Sequence, residues 1–377
     1  MRILVRPFYR DWLNNRLFDP NFALSNSSVG TAPYIELQRQ LNSRGIQIAT
    51  WDMFPWESAD LIYMLDLPST RGEVLEVKRR CPRAKLVLEL WETPLSRPQF
   101  FVQANHSLFD AVVTYDPHLC DDRKYFRFFL PFMPPRTAAA NPPFEQRKPL
   151  VMVNTNRYFS IFALRGQGLP GIPFFGPALT GWSLPLNKLL TQNKGELYSR
   201  RRKLARLADK CCPGVLEVYG AGWKGEYISW VHKFIPHRPY AGAKSAQTNK
   251  QQVLPDYRFV VAFENFTGDM GYISEKMLDA LSVGVVPIYL GDAHITDHFP
   301  ADAFVDARQF RNGRELLDFA RDCSQERWSA LRAAGQAFVA SPAAQKFYPQ
   351  SYAQNIARII CKVLGLAESA LIPISQS

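Results

Sequence analysis

The chain has 377 residues, enough for two domains with a large core. Its 45 Lys and Arg against 34 Asp and Glu give a net charge of +11, which suits an anionic partner: nucleic acid, an anionic membrane or the phosphates of a nucleotide sugar. Six scattered cysteines, Cys211 and Cys212 adjacent among them, make neither a disulfide framework nor a zinc spacing, and no segment is apolar for long enough to span a membrane.

Charges interrupt the N-terminus MRILVRPFYRDW, so it reads as a first strand rather than a signal peptide. Short apolar runs at 3–5, 46–49, 61–65, 86–90, 111–114 and 126–130 read as strands, and 33–44, 72–80 and 99–107 as helices between them. That alternation predicts a mostly parallel sheet covered by helices on both faces. Residues 133–149, with Met133-Pro134-Pro135, Ala138-Ala139-Ala140 and Pro142-Pro143, carry no periodicity and read as an interdomain linker. The second domain is expected over 150–340. Its strands are predicted at 150–153, 216–219, 259–263, 285–290 and 304–306. A basic helix is predicted over 196–210, and 314–338 reads as helical. The Gly- and Pro-rich stretch 166–182 reads as a loop, and 341–377 as a terminal helix and tail.

The most informative segment is Phe259 to Asp292, FVVAFENFTGDMGYISEKMLDALSVGVVPIYLGD. It reads as a buried strand, a polar loop, a helix and a second buried parallel strand, which is a right-handed crossover unit. Glu264, Asn265, Tyr272, Glu275 and Lys276 then fall at the carboxyl edge of the sheet, where open α/β sheets bind ligands, and a helix N-terminus there favours an anion. A lysine so placed can neutralise a diphosphate leaving group, and a glutamate can accept hydrogen bonds from sugar hydroxyls. The Gly220-Ala-Gly222-Trp-Lys-Gly225 run follows a predicted strand, but no helix start or ribose-binding acid follows it, so it reads as a close turn rather than a dinucleotide fingerprint. The spacing of Gly166, Gly168 and Gly171 is a loop coincidence.

The segment resembles the signature of glycosyltransferase family 10, the α1,3/α1,4-fucosyltransferases, in their bacterial form. The resemblance rests on Phe263-Glu264-Asn265, Tyr272-Ile273-Ser274-Glu275-Lys276, Asp279-Ala280, Gly284, Pro287-Ile288 and Gly291, and continues through Ala303–Phe310. It implies a glycosyltransferase B architecture, two Rossmann-like α/β domains facing a cleft, with an N-terminal acceptor domain over 1–132. It implies Tyr272, Glu275 and Lys276 as donor-binding residues. It also implies one arginine in the helix before the strand 216–219: counting back seven from Leu207 gives Arg200, with Arg201 next to it. Glu92, in ELWETP at the end of the strand 86–90, matches the strand-end glutamate that serves related bacterial members as general base, while Glu89 is expected to point to the opposite face.

The expected activity is inverting transfer of L-fucose from GDP-β-L-fucose to O3 or O4 of GlcNAc in a Galβ-GlcNAc unit of an oligosaccharide or glycolipid, such as a Lewis-type or lipopolysaccharide glycan. No metal site is expected: no Asp-x-Asp occurs in the chain, and no cofactor is required beyond the donor substrate, although a divalent cation in solution would stimulate. A cytoplasmic location with peripheral contact at the inner membrane face is expected. The alternatives are a transferase of the same architecture using another nucleotide sugar, and a basic nucleic-acid-binding protein suggested by Arg200–Lys203, for which no recognition motif is present.

Overall fold

The computed structural model describes residues 1–22, 30–68, 70–94, 98–132, 141–156, 195–224, 239–245 and 250–366. The glycine-rich stretch 166–182 and the first half of the expected linker, 133–140, lie outside them. The chain divides into two compact units. One holds the chain to residue 132 together with the described residues from 345 onward, and the other holds the described residues 141–344.

The first unit is built on six strands: β1 (Arg2–Arg6), β2 (Gln47–Thr50), β3 (Leu61–Leu65), β4 (Lys85–Glu89), β5 (Ala111–Thr114) and β6 (Tyr125–Arg127). They are all parallel, in the order β2-β1-β3-β4-β5-β6. Every residue of β3 and β5 is buried, because helices cover both faces and the strands cannot alternate polar with apolar. Helix α1 (Ala32–Asn42) and helix α2 (Arg71–Arg80) form two of the crossovers. Thr70 caps α2 by accepting from the Glu73 amide at 3.3 Å, as the Thr-x-x-Glu spacing favours. The helix expected over 99–107 is instead two 3₁₀ turns, Pro98–Phe101 and Gln103–Leu108. Phe100, Phe101 and Val102 are buried in succession, which one amphipathic helix face cannot accommodate.

The terminal helix, α8 (Pro349–Val363), is part of this first unit. Its Tyr352 packs edge-on against Tyr34 of α1 with ring centres 5.9 Å apart. The Tyr352 hydroxyl also donates to Glu89 at 2.9 Å, and that of Tyr63 donates to the same carboxyl at 2.9 Å. Glu89 is fully buried, and burial pushes its carboxyl up to about 7 against the pull of these tyrosines. Between about pH 4 and 7 the unfolded chain has released this proton and the folded chain retains it, so stability falls as pH rises through the window. The full difference is about 3 kcal/mol. Melting curves from pH 5 to 8 should therefore show Glu89→Gln gaining on the wild type as pH rises. Parallel curves for the two proteins would contradict this.

The second unit holds β7 (Lys148–Val153), β8 (Leu216–Tyr219), β9 (Tyr257–Gly268), β10 (Val286–Asp292) and β11 (Val305–Asp306), parallel in the order β11-β10-β9-β7-β8. Alternate residues serve opposite faces. Leu150, Met152, Phe259 and Val261 pack with α3 (Tyr198–Cys211) and α6 (Gly313–Asp322). Val151 and Val260 pack with Ala280 of α5 (Lys276–Ser282), a helix preceded in the chain by the single turn α4 (Lys250–Val253). At about 1.5–3 kcal/mol for each fully buried large apolar side chain, these two layers dominate the unit's stability. The stretch expected to be helical over 314–338 holds two helices, α6 and α7 (Gln325–Val339), divided where Ser324 caps the second by accepting from the Arg327 amide at 3.3 Å.

Residues 141–149, read above as linker, are built into this unit. Arg147 is buried, donating to Pro142 O at 2.8 Å, Tyr257 O at 3.2 Å and Gly284 O at 3.3 Å. A segment poor in apolar periodicity is thus fastened by one guanidinium on backbone carbonyls. Burial and the nearby Arg332 lower the Arg147 pKa to about 10. Among the described residues, no helix is long and apolar enough to cross a membrane.

Candidate active site

The carboxyl ends of β9 and β10 and the start of α5 carry the polar residues singled out in the sequence. Strand β9 outruns its expected end and continues to Gly268, with a break in its register against β10 between Leu290 and Asp292. At that break Gly291 leaves space for two side chains: a Cβ there would lie 2.4 Å from Tyr289 Oη and 2.5 Å from Glu264 Cγ. Glu264 is fully buried as a result. Its Oε1 accepts the Ser274 amide at 2.8 Å, and its Oε2 accepts Ser274 Oγ at 2.7 Å and the Lys276 ammonium at 3.0 Å. Lys276 also donates to Ser274 Oγ at 2.8 Å, and its side chain is only 12% exposed. Glu264, Ser274 and Lys276 therefore form one closed network that staples the loop to the strand end.

Asp292 holds the middle of the loop, accepting the Gly271 amide at 2.7 Å and the His294 amide at 2.8 Å. Tyr272, between these anchors, is half-buried. Glu275 occupies the cap position of α5 and pairs with Lys250 of α4 at 2.9 Å, and the same ammonium reaches Asp279 at 3.0 Å. Burial works to raise the Glu275 pKa, but Lys250 and Lys276 outweigh it and hold this carboxyl well below the usual carboxylate range.

Of the basic run in α3, Arg200 is exposed and Arg201 is 2% exposed. Arg201 donates to the carbonyl of Phe263, to Glu264 O at 2.6 Å and to Asn265 Oδ1 at 3.1 Å. Leu197 N donates to Asn265 O at 3.1 Å, so α3 is tied to the end of β9 at two points. The helix register explains why Arg201 turns inward and Arg200 outward. Tyr198, Arg201, Leu204, Ala205 and Ala208 are the buried stripe, a 3.6-residue pattern that includes Arg201 and leaves Arg200 on the outer face.

In the first unit, β4 ends at Glu89, so Glu92 lies beyond the strand in a bend, and strand alternation does not relate the two residues. Glu92 is half-buried, and its backbone carbonyl accepts the Tyr115 hydroxyl at 3.0 Å. The preceding Trp91 amide donates to Asp66 at 2.7 Å, which fixes the chain on the other side. The Glu92 carboxylate itself makes no hydrogen bond or ion pair with another described residue. Glu264, Asn265, Tyr272, Glu275 and Lys276 are thus gathered in one place with Arg201, and Glu92 stands in the other unit.

Three further residues build this place and were not singled out as site residues. Ser274 and Asp292 lie inside the signature segment itself. Lys250 lies outside it, and no local pattern connects it to Glu275. Past β8, Gly220 adopts φ +125° and a Cβ there would lie 2.4 Å from Asn154 O. The close-turn reading of its glycine run fits that contact, while Gly225 lies outside the described residues. Among the described residues no group of three or more His, Cys, Asp and Glu could hold a metal ion.

Residues 199–329 match the model described as glycosyltransferase family 10 (fucosyltransferase) C-term. The chain is 36% identical over 73 residues to the alpha-(1,3)-fucosyltransferase FucT of Helicobacter pylori, and 38% identical over 71 residues to GDP-fucose protein O-fucosyltransferase 3 of Homo sapiens. Each match covers 19% of this chain and only 15% of the relative's length. The crystal structure of an alpha1,3-fucosyltransferase with GDP-fucose is similar over 97% of this chain and 90% of that one, with a TM-score of 0.51 at 16% identity. That likeness concerns the fold, which is of the glycosyltransferase B class, with one parallel α/β sheet in each unit. Residues 199–329 thus carry this chain's similarity to glycosyltransferase family 10.

Proposed function

We propose that this protein is an inverting fucosyltransferase that moves L-fucose from GDP-β-L-fucose to O3 or O4 of a GlcNAc residue in a glycan acceptor. The observation that carries the proposal is the Glu264–Ser274–Lys276 network, with Glu275 beside it, at a sheet edge inside the segment matched to the family. Lys276 supplies positive charge for a departing diphosphate. When the ammonium leans toward that ligand, Glu264 keeps two donors from Ser274 and is not orphaned. Glu275 accepts hydrogen bonds from the sugar hydroxyls. Glu92 takes the acceptor's proton as the new glycosidic bond forms and the bond to GDP breaks, which inverts the β-linked donor to an α-linked product. Exposed Arg200 remains the candidate for a phosphate contact from α3, a role a guanidinium suits. Arg201, with its guanidinium committed to the end of β9, contributes no charge to an outward nucleic-acid patch.

The proposal is tested by turnover of a panel of nucleotide sugars with a lactosamine acceptor and, in parallel, with a Ser/Thr-containing polypeptide, each with and without excess chelator. Expected is fucosylated lactosamine from GDP-fucose, persisting in chelator because Lys276 supplies charge that an Asp-x-Asp-bound cation would otherwise provide. Turnover of a UDP-sugar alone would overturn the donor, transfer to the polypeptide alone would overturn the acceptor, and activity that only a divalent cation restores would overturn the charge argument.

A further inference from the structure

Lys250 of α4 pairs with Glu275 at 2.9 Å and has no role of its own in the proposed transfer. Its side chain is 28% exposed, and those of its partners Glu275 and Asp279 are 17% and 13% exposed. The two acids stand four residues apart, at the cap and in the first turn of α5, on one side of the helix. We propose that Lys250 is a positioning residue for the donor sugar: by bridging Glu275 and Asp279 it sets the place and charge of the Glu275 carboxylate, and with them the preference for the sugar-bearing nucleotide over the bare one. The inference rests on the fucosyl-donor reading, which assigns Glu275 to the sugar.

Two like charges this close and this little exposed repel, and burial disfavours both. The groups that face them are Lys250 from α4, Lys276 on α5 itself, and Arg201 from α3, with Glu264 of β9 paired to Lys276. Burial and the neighbouring Glu275 push Asp279 up to about 6 despite Lys250. Glu275 is held low by the two lysines. The low member of the pair is the one at the sheet edge. Lys250 is in turn saturated: burial works to lower its pKa, but the two carboxylates outweigh this and hold it above the ordinary lysine range. An ammonium already shared by two carboxylates is poorly placed to serve a diphosphate, which separates its role from that of Lys276.

Without Lys250 the two acids share a proton at neutral pH, and the fraction of Glu275 available to sugar hydroxyls falls as pH is lowered. The test compares KM for GDP-fucose with the inhibition constant of GDP, from pH 6 to 8. It uses the wild type, Lys250→Met, Lys250→Arg and the double variant Lys250→Met/Asp279→Asn. In Lys250→Met, KM is expected to rise about 10- to 100-fold, the loss of a hydrogen bond to a charged group. The GDP constant should stay within about threefold, a change of under one kcal/mol. The rise should be steepest at pH 6. Arginine should restore most of the affinity, and Asp279→Asn should abolish the pH dependence by removing the shared proton. Equal losses for both ligands at every pH, in Lys250→Met or in the double variant, would overturn the proposal. So would a Lys250→Met protein that binds both as the wild type does. Should Lys250→Met fail to fold, Lys250→Arg decides: a pH-independent loss that is equal for both ligands overturns the proposal. If the wild type turns over no GDP-fucose, the functional reading fails first.

Discussion

Replacing Lys276 with alanine is expected to lower GDP-fucose turnover by at least about a hundredfold and to weaken GDP binding. A positioned group that meets charge developing in the transition state is commonly worth about 2.7–4 kcal/mol of barrier. The structure adds a second consequence. Lys276 is the ionic partner of Glu264, a fully buried carboxylate, at 3.0 Å. Breaking a buried pair by removing one member costs about 3–5 kcal/mol, and the two bonds from Ser274 set the expectation at the low end of that range. A drop in melting temperature should therefore accompany the loss of activity. The two effects separate in the double variant Glu264→Gln/Lys276→Ala, where no orphaned charge remains: stability should recover and turnover should not. Near wild-type turnover in Lys276→Ala would remove this residue from the site. Recovery of both properties in the double variant would reduce its role to structure.

Glu92→Gln should bind GDP-fucose normally and lose roughly 10²–10⁴-fold in transfer, the usual contribution of a general base. Glutamine keeps the size and much of the hydrogen bonding but cannot take a proton. The backbone around position 92 is held by the Tyr115 hydroxyl on its carbonyl and by Asp66 on the Trp91 amide, neither of which the substitution touches. Glu89→Gln is the control, and its structural setting makes it a sharp one. That side chain is enclosed by Tyr63 and Tyr352 in the core, so its loss should alter the pH dependence of stability and leave transfer intact. Normal transfer by Glu92→Gln would end the base assignment. An inactive but folded Glu89→Gln would move the assignment to the buried acid.

Much of this protein was legible in the chain because the decisive signals are local. Strands buried on both faces read as unbroken apolar runs, so β3, β5, β7 and the start of β9 stand out with no knowledge of their neighbours. The stretch from Glu264 to Lys276 carries its loop and the Glu264–Ser274–Lys276 network within 13 residues, which is why Glu264, Asn265, Tyr272, Glu275 and Lys276 could be named together. What only the tertiary structure decided involves side chains that meet across long loops. Tyr352 reaches Glu89 from 263 residues away and draws the last helix into the first unit. Lys250 meets Glu275 across an intervening strand, and Arg201 rather than Arg200 meets the end of β9 because helix rotation, which no residue count reveals, turns one inward and the other out. Periodicity reports which face of an element is buried. It does not report which buried polar group finds which partner, because that depends on distances set only when separate elements pack.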